Sequence, residues 1–298
     1  MNDPAGQNER AEELFAKARK AHDAADYRAV RRLAAELFEH AKENGDHVGM
    51  ARGHNLLGNA FLHATADGES AERYYRSALE HYRLAADRRG QAIVSLNLGS
   101  LALDIYLDLQ EARRYYEESL PIFRELEDRE LIGFGLSNLA EISRLEGDYA
   151  QAYEYGCASL EIFRRLGDDT RVGWQLVNIA HYHLLRGEYL EAVDMLHQSF
   201  EYLTREPNPD QISNYFETWF YLAVEVQAHT EAARLLGFLE EYRQRHHVPR
   251  LALLMPWFSP RLEKLQRRIP YDEFIALRNE GEGMTLAQAD ALTRKIEL

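Results

Sequence analysis

The sequence repeats with a period of 40 or 41 residues over much of its length, and this periodicity limits the possible folds more than any other feature. A small residue recurs inside apolar segments at Gly58, Gly99, Ala140 and Ala180. Four more columns keep the same register: Ala71, Ala112, Ala152 and Ala192; Tyr74, Tyr115, Tyr155 and Met195; Leu79, Leu120, Leu160 and Phe200; Tyr82, Phe123, Phe163 and Leu203. A fixed period in this range predicts stacked supersecondary units with one continuous core.

Each repeat is expected to contain two α-helices separated by a short break. The breaks read EGDY at residues 146–149 and RGEY at residues 186–189, and ADGES at residues 66–70 is a looser version. A glycine that ends one helix and an acidic residue that begins the next are typical of helix boundaries. Only two of the eight prolines lie in the first two hundred residues. Since proline interrupts helices, the sequence predicts an all-α fold.

The small residue of each first helix has a packing explanation. Glycine lowers helix stability by up to about 1 kcal/mol relative to alanine, so close contact with another helix must offset that loss. We expect the second helix to cross closely at Gly99, with the small side chain of Ala112 opposite, and likewise in the other repeats.

At these positions the chain resembles the tetratricopeptide repeat family. The matching residues are Leu98, Gly99, Ala112, Tyr116 and Ser119 in one repeat and Leu57, Gly58, Ala71, Tyr75 and Ala78 in the preceding one. That family usually repeats every 34 residues or so. The longer period here resembles the subclass found in bacterial regulators and in eukaryotic spindle-orientation and kinesin light-chain adaptors.

The resemblance implies a tetratricopeptide-like α-solenoid, that is, a right-handed superhelix of antiparallel helix pairs. We expect about six pairs over residues 8–246, with the clearest repeats at residues 47–204. A C-terminal helical cap is expected over residues 247–298.

The C-terminal part is also similar to the end of large bacterial ATP-dependent regulators of the LuxR or winged-helix type. The matching residues are Phe274, Glu280, Gly281, Thr285, Leu286 and Ala289. The nucleotide-binding motif of those regulators is missing from this sequence, and no room is left for a DNA-binding domain. The resemblance therefore implies only their sensor-like end, free-standing or excised from a larger regulator.

Composition limits the classes of partner that the protein is expected to bind. The net charge of −14 disfavours direct nucleic-acid binding and anionic membrane surfaces, because both need a basic face. Cys157 is the single cysteine, which indicates a reducing compartment. No apolar run approaches the roughly 20 residues of a membrane-spanning helix. We expect a cytoplasmic protein.

The sequence carries none of the common enzyme motifs. HExxH, G-x-S-x-G and glycine-rich phosphate loops are missing. His246 and His247 are adjacent, so they point to different sides of a helix. We expect no enzyme activity, no cofactor and no metal site.

One polar column does suggest a function. Asn97, Asn138 and Asn178 each stand two residues before the small residue of a first helix. The resemblance implies that first helices line the concave side of the solenoid. One interpretation is a ladder of amides that binds the backbone of an extended peptide, since each amide offers donors and an acceptor. The other is that these amides bond backbone groups or each other between stacked repeats.

Further residues are expected in the same groove. The next polar column is Asn59, Ser100, Glu141 and His181; Arg52, Asn55 and Arg144 are expected on the same side, and Phe134 and Trp174 are candidate apolar anchors.

Three functions are consistent with this sequence. The first is a non-enzymatic module that binds a protein or peptide in its groove and acts as a scaffold or regulator. The second is the signal-sensing domain of a bacterial transcription regulator, which would bind a small molecule or signalling peptide. The third is self-association through the cap, with an exposed seam formed by Leu251, Leu253, Leu254, Trp257 and Phe258.

Overall fold

The structure, a computed structural model, describes residues 4–250 and 254–298, with side chains from Asn8 onward. Fifteen α-helices and no strand occur in these ranges, which confirms the all-α class. The helices are α1 (Pro4–Asp23), α2 (Tyr27–Glu43), α3 (His47–Thr65), α4 (Gly68–Leu84), α5 (Arg88–Asp104), α6 (Leu109–Glu125), α7 (Arg129–Leu145), α8 (Tyr149–Leu166), α9 (Asp169–Arg186), α10 (Tyr189–Arg205), α11 (Pro209–Glu225), α12 (His229–Arg245), α13 (Met255–Gln266), α14 (Tyr271–Glu282) and α15 (Leu286–Thr293).

The chain forms two compact units, residues 1–146 with α1 to α7 and residues 147–298 with α8 to α15. Helices α1 to α12 alternate as first and second helices of the repeats, and α13 to α15 follow them. The division between array and cap that the sequence predicts at residue 246 stays a prediction. None of the helices in the described ranges is long and apolar enough to cross a membrane.

Aspartate begins eight consecutive helices, α2 to α9. In each case its carboxylate accepts a hydrogen bond from the backbone N–H three residues later, which satisfies a group that the helix itself leaves unpaired. These aspartates are Asp26, Asp46, Asp67, Asp87, Asp108, Asp128, Asp148 and Asp168. The repeated cap places a helix start about every 20 residues along this part of the chain.

The residue before the capping aspartate has a left-handed backbone at these turns. Gly147 and Gly167 supply it with φ of 86° and 70°, as the sequence predicts for a glycine stop. In the looser break, Ala66 takes this conformation with φ of 50°, and Gly68 is instead the first residue of α4. The position next to the cap, and not the nearest glycine, therefore determines where the chain turns.

Close helix crossing at the small column is present in residues 1–146. A Cβ built on Gly58 would lie 2.5 Å from Cε1 of Tyr75, and one on Gly99 would lie 2.5 Å from Cε1 of Tyr116. The nearest atoms thus belong to the tyrosine rings of the second helices. The expected position of Ala112 opposite Gly99 stays a prediction, and the tyrosine four residues after that alanine fills the space next to the glycine.

In residues 147–298 the last helices close around α11 and α12. Gly237 of α12 and Gly281 of α14 touch reciprocally: a Cβ on Gly237 would lie 1.9 Å from the carbonyl oxygen of Arg278, and one on Gly281 would lie 1.9 Å from that of Arg234. The two backbones can approach this closely only because both positions lack a side chain.

One residue of the predicted self-association seam, Phe258, is buried and not exposed as the sequence analysis expected. Phe258 is 3% exposed and its ring centroid lies 5.7 Å from that of Phe220. It therefore belongs to the core between α11 and α13 and is not available to a second copy. Trp257 and Leu254 are partly exposed, whereas Leu251 and Leu253 lie outside the described residues.

Candidate functional site

The residues singled out from the sequence lie on the first helices α3, α5, α7 and α9. In residues 1–146, α3 packs against α5 and α5 against α7; in residues 147–298, α9 packs against α11. We call the partly exposed side chains on these helices that the sequence predicts as groove residues the first-helix face. The list is Asn55, Asn59, Asn97, Ser100, Phe134, Asn138 and Glu141 in the first unit, and Trp174, Asn178 and His181 in the second.

Three amides come together between α3 and α5. Nδ2 of Asn97 donates to Oδ1 of Asn55 at 2.8 Å and lies 3.5 Å from Oδ1 of Asn59. The hydroxyl of Tyr75 donates to Oδ1 of Asn59 at 2.7 Å. At this repeat the amides therefore bond each other across neighbouring first helices, which is one of the two interpretations of the asparagine column.

Burial raises the pKa of Tyr75 and Tyr116, so both hydroxyls stay protonated and act as donors. The hydroxyl of Tyr116 lies 3.3 Å from Oγ of Ser100, as that of Tyr75 lies near Asn59. The first two members of the polar column are thus oriented by tyrosines from the second helices.

Helices α7 and α9 present the same pattern of side chains. Phe134 and Asn138 on α7 correspond to Trp174 and Asn178 on α9, and all four side chains are partly exposed. A spacing of four residues places each aromatic ring and its amide on one side of the helix. The amides of Asn138 and Asn178 have no hydrogen-bond partner in the part of the chain that the structure describes. These two amides can therefore bond a ligand without first losing a protein contact.

Arg144 and Arg52, which the sequence predicts as groove residues, already form ion pairs within the protein. The guanidinium of Arg144 is 3% exposed and binds both carboxylate oxygens of Glu141, with Nε 2.8 Å from Oε2. Arg52 binds Glu12 of α1 at 2.6 Å and lies over the ring of Phe15. A ligand carboxylate would have to compete with Glu141 or Glu12 for these charges.

His181 meets the next first helix in residues 147–298. Its ring lies edge-on to that of Tyr221 of α11, with centroids 5.7 Å apart. Tyr221 follows His181 by 40 residues and therefore continues the polar column, a position that sequence reasoning missed. Extending the column by one more period identifies it.

No cation-binding arrangement accompanies these residues. No group of three or more His, Cys, Asp or Glu side chains with the geometry of a metal site occurs within residues 8–250 and 254–298. The side chains described above are amides, aromatic rings and ion pairs, which offer hydrogen bonds and apolar contact.

Part of the sequence matches a known protein family. Residues 132–212 match the family model described as tetratricopeptide repeat, which covers α7 to α10 apart from the first residues of α7. A search of curated proteins found no significant match. The similarity of the C-terminal part to LuxR-type or winged-helix regulators stays a prediction, because this match ends before α12.

Solved structures with the same fold extend the comparison over most of the chain. BtubC (BKLC) from P. vanneervenii is 18% identical, with a TM-score of 0.59, over 69% of this chain and 86% of that one. A Rap protein complexed with competence and sporulation factor is 16% identical, with a TM-score of 0.59, over 87% and 77%. NprR in complex with its cognate peptide NprX is 16% identical, with a TM-score of 0.59, over 91% and 76%. At these identities the likeness establishes the tetratricopeptide-like fold.

Proposed function

We propose that this protein is a non-enzymatic regulator or scaffold that binds extended peptide or protein segments through the first-helix face of each unit. The observation that carries the proposal is the repeated pair of a partly exposed aromatic ring and an unpartnered amide, Phe134 with Asn138 and Trp174 with Asn178.

The chemistry of these pairs suits a peptide. A side-chain amide can donate to a backbone carbonyl and accept from a backbone N–H, so it recognises the main chain whatever the sequence. An aromatic ring four residues away offers apolar surface to the ligand's side chains. Recognition of an extended segment by main-chain hydrogen bonds with pockets for side chains is a common binding mode.

The comparisons support this proposal. NprR, whose fold this chain shares, was solved with its cognate peptide. The net charge of −14 favours a basic or neutral segment over an acidic one. The same charge speaks against direct nucleic-acid contact, and the single cysteine is consistent with a cytoplasmic protein.

Asn138 and Asn178 offer the cleanest test, since Asn97 also bonds Asn55 and its loss would alter the protein itself. We expect the double variant Asn138→Ala and Asn178→Ala to lose a partner that the wild-type protein captures from native cell lysate, with the partner identified by mass spectrometry. Its thermal unfolding midpoint should stay close to wild type because neither amide has a partner to lose.

Asn279→Ala is the matched control, because Asn279 is an exposed asparagine on α14 away from the first helices. This variant should capture the partner as the wild type does. If the double variant retains the partner, the first-helix face is not the binding surface and the proposal is wrong.

A further inference from the structure

A cluster of buried charges lies where α11, α12, the segment after α12 and α13 meet. Its centre is the carboxylate of Glu217, whose side chain is 4% exposed. Nη2 of Arg243 lies 2.6 Å from Oε2 of Glu217, and Nε of Arg250 lies 3.4 Å from the same oxygen. The hydroxyl of Tyr221 donates to Oε1. Both oxygens of this carboxylate are therefore occupied.

Positive charge exceeds negative charge in this cluster. Two more cations, Arg261 and Lys264, belong to the cluster. Both bind Glu225, whose carboxylate lies 3.0 Å from Nε of Arg261 and 2.7 Å from Nζ of Lys264. Among the described residues, Glu217 and Glu225 are the carboxylates that these four cations bind. Three arginines and one lysine thus share two carboxylates. A local positive surplus in a chain with a net charge of −14 is not a consequence of overall composition.

Two guanidinium groups of the cluster have unused donors. Nε of Arg243 and Nη2 of Arg250 are buried and have no hydrogen-bond partner in the part of the chain that the structure describes. The Arg243 side chain is only 8% exposed. Burial lowers its pKa despite its bond to Glu217, and the neighbouring charge of Arg250 acts in the same direction. A buried donor without a partner destabilises the folded protein, so an incoming anion would stabilise this arrangement.

The cluster continues the first-helix face. Tyr221 is the next member of the column that contains His181, and the guanidinium of Arg261 lies over its ring, 4.8 Å from the centroid. The side chains of Arg250 and Arg261 are 16% and 14% exposed, and that of Lys264 is 41% exposed. Solvent therefore reaches the cluster from the side of these three cations.

We propose that Arg243, Arg250 and Arg261 form a binding site for a carboxylate of a peptide bound at the first-helix face of residues 147–298. This inference rests on the proposed function. Arginine presents N–H groups in a planar fork that matches the two oxygens of a carboxylate, and such charged hydrogen bonds are stronger than neutral ones. The carboxylate is either the C-terminus of the peptide or an Asp or Glu side chain.

Synthetic peptide libraries test both the site and the source of the carboxylate. Three libraries of random nonapeptides are passed over the immobilised full chain: free C-terminus without Asp or Glu, C-terminal amide with one Asp or Glu, and C-terminal amide without any acid. Retained peptides are quantified by mass spectrometry. We expect one of the two acidic libraries to be retained about tenfold more than the uncharged one, which corresponds to one charged hydrogen bond.

The preferred library identifies the source of the carboxylate. Equal retention of all three libraries overturns the carboxylate site while leaving peptide binding intact. Retention of none overturns both the site and the proposed function.

Variants assign the effect to the cluster. Arg250→Gln and Arg261→Gln should each reduce retention of the preferred library to that of the uncharged one, and Arg261→Lys should restore part of it. Arg165→Gln is the matched control, since the Arg165 side chain is 66% exposed on α8 and pairs with Glu161 of the same helix. If the Gln variants unfold, Arg261→Lys alone decides, because it keeps the charge but loses the fork. The assignment is overturned if a folded Arg250→Gln or Arg261→Gln variant keeps the wild-type preference for the acidic library. If both Gln variants unfold, it is overturned if Arg261→Lys keeps that preference.

Discussion

Gly99 packs against the ring of Tyr116, so close that a Cβ at Gly99 would be 2.5 Å from Cε1 of the ring. Gly58 and Tyr75 repeat this relationship one period earlier. The buried ring projects its hydroxyl to the residue after the glycine, which is Ser100 in the later repeat. The glycine therefore does more than permit close packing. It leaves room for a tyrosine whose hydroxyl orients a polar residue of the first-helix face.

Gly99→Ala should destabilise the protein by about 1–3 kcal/mol, the usual effect of forcing an extra methyl group into a packed core. Urea denaturation measures this change. Gly283→Ala is the control, because a Cβ at Gly283 meets nothing within 4 Å. A Gly99→Ala variant as stable as Gly283→Ala would contradict the packing argument.

The same pair predicts that a smaller side chain at position 116 offsets the destabilisation caused by Gly99→Ala. Ala180 and Leu196 occupy the equivalent positions in the later repeat, and both are buried. Adding Tyr116→Leu to Gly99→Ala should therefore cost less than the sum of the two single changes. A double-mutant cycle should give a coupling energy of about 0.5–3 kcal/mol.

The reciprocal glycines of α12 and α14 predict that Gly281→Ala loosens the last helices. The added methyl would collide with the carbonyl oxygen of Arg234, a backbone atom that cannot rotate away. We expect faster limited proteolysis between α12 and α14 than in the wild type. Gly283→Ala, two residues further along, should leave the cleavage rate unchanged, and equal rates for both variants would show that the crossing is not essential.

A turn residue offers a stabilising change. Leu107 has a φ of 53° just before the capping residue Asp108, and the residue is 51% exposed. A left-handed backbone costs a residue with a side chain about 1–2 kcal/mol. Leu107→Gly should therefore raise the unfolding free energy by about 1 kcal/mol, since little burial is lost and some of the gain is offset by the flexibility of the unfolded chain.

Gly147→Ala at the equivalent turn is the converse control, because Gly147 has a φ of 86°. It should lower the unfolding free energy. If Leu107→Gly also lowers it in urea denaturation, contacts of the Leu107 side chain outweigh the backbone strain.

Acid should destabilise the structure around His54. Burial and the charge of His81 lower the pKa of His54 to about 4, from 6.5 in the unfolded chain. Between these values the unfolded chain binds a proton that the folded protein does not, so stability is lost as the pH falls from about 6.5 towards 4. The pKa of His81 is lowered in the same direction, mainly by burial.

His54→Gln should reduce this pH dependence, measured as the difference between the urea midpoints at about pH 7 and about pH 5. His246→Gln at the end of α12 is the control and should keep the wild-type difference. An unchanged pH dependence in His54→Gln would show that other groups cause the acid sensitivity.

Much of the fold was predictable because its signals are local. Helix spacing, scarcity of proline and the breaks around Gly147 and Gly187 depend on residues close in sequence. The capping aspartates were only partly recognised, since glycine precedes the capping aspartate at only three of the eight turns, and residues such as Ala66 and Leu107 take its place at the others. The candidate site was harder to predict. Asn97 could be identified by its recurrence, but its bond to Asn55 depends on how α3 and α5 pack.

The sequence by itself determined the helix pairs and their period, because hydrophobic spacing and capping act within a few residues along the chain. Only the tertiary structure decided which side chains meet. Arg243 and Arg250 come to Glu217 from 26 and 33 residues away. Arg243 stands one period after Leu203, where the earlier repeats have apolar residues, and Arg250 follows the last repeat. Such contacts depend on helix crossing and side-chain rotamers, which no periodicity encodes, and they determine which buried donors are left without a partner.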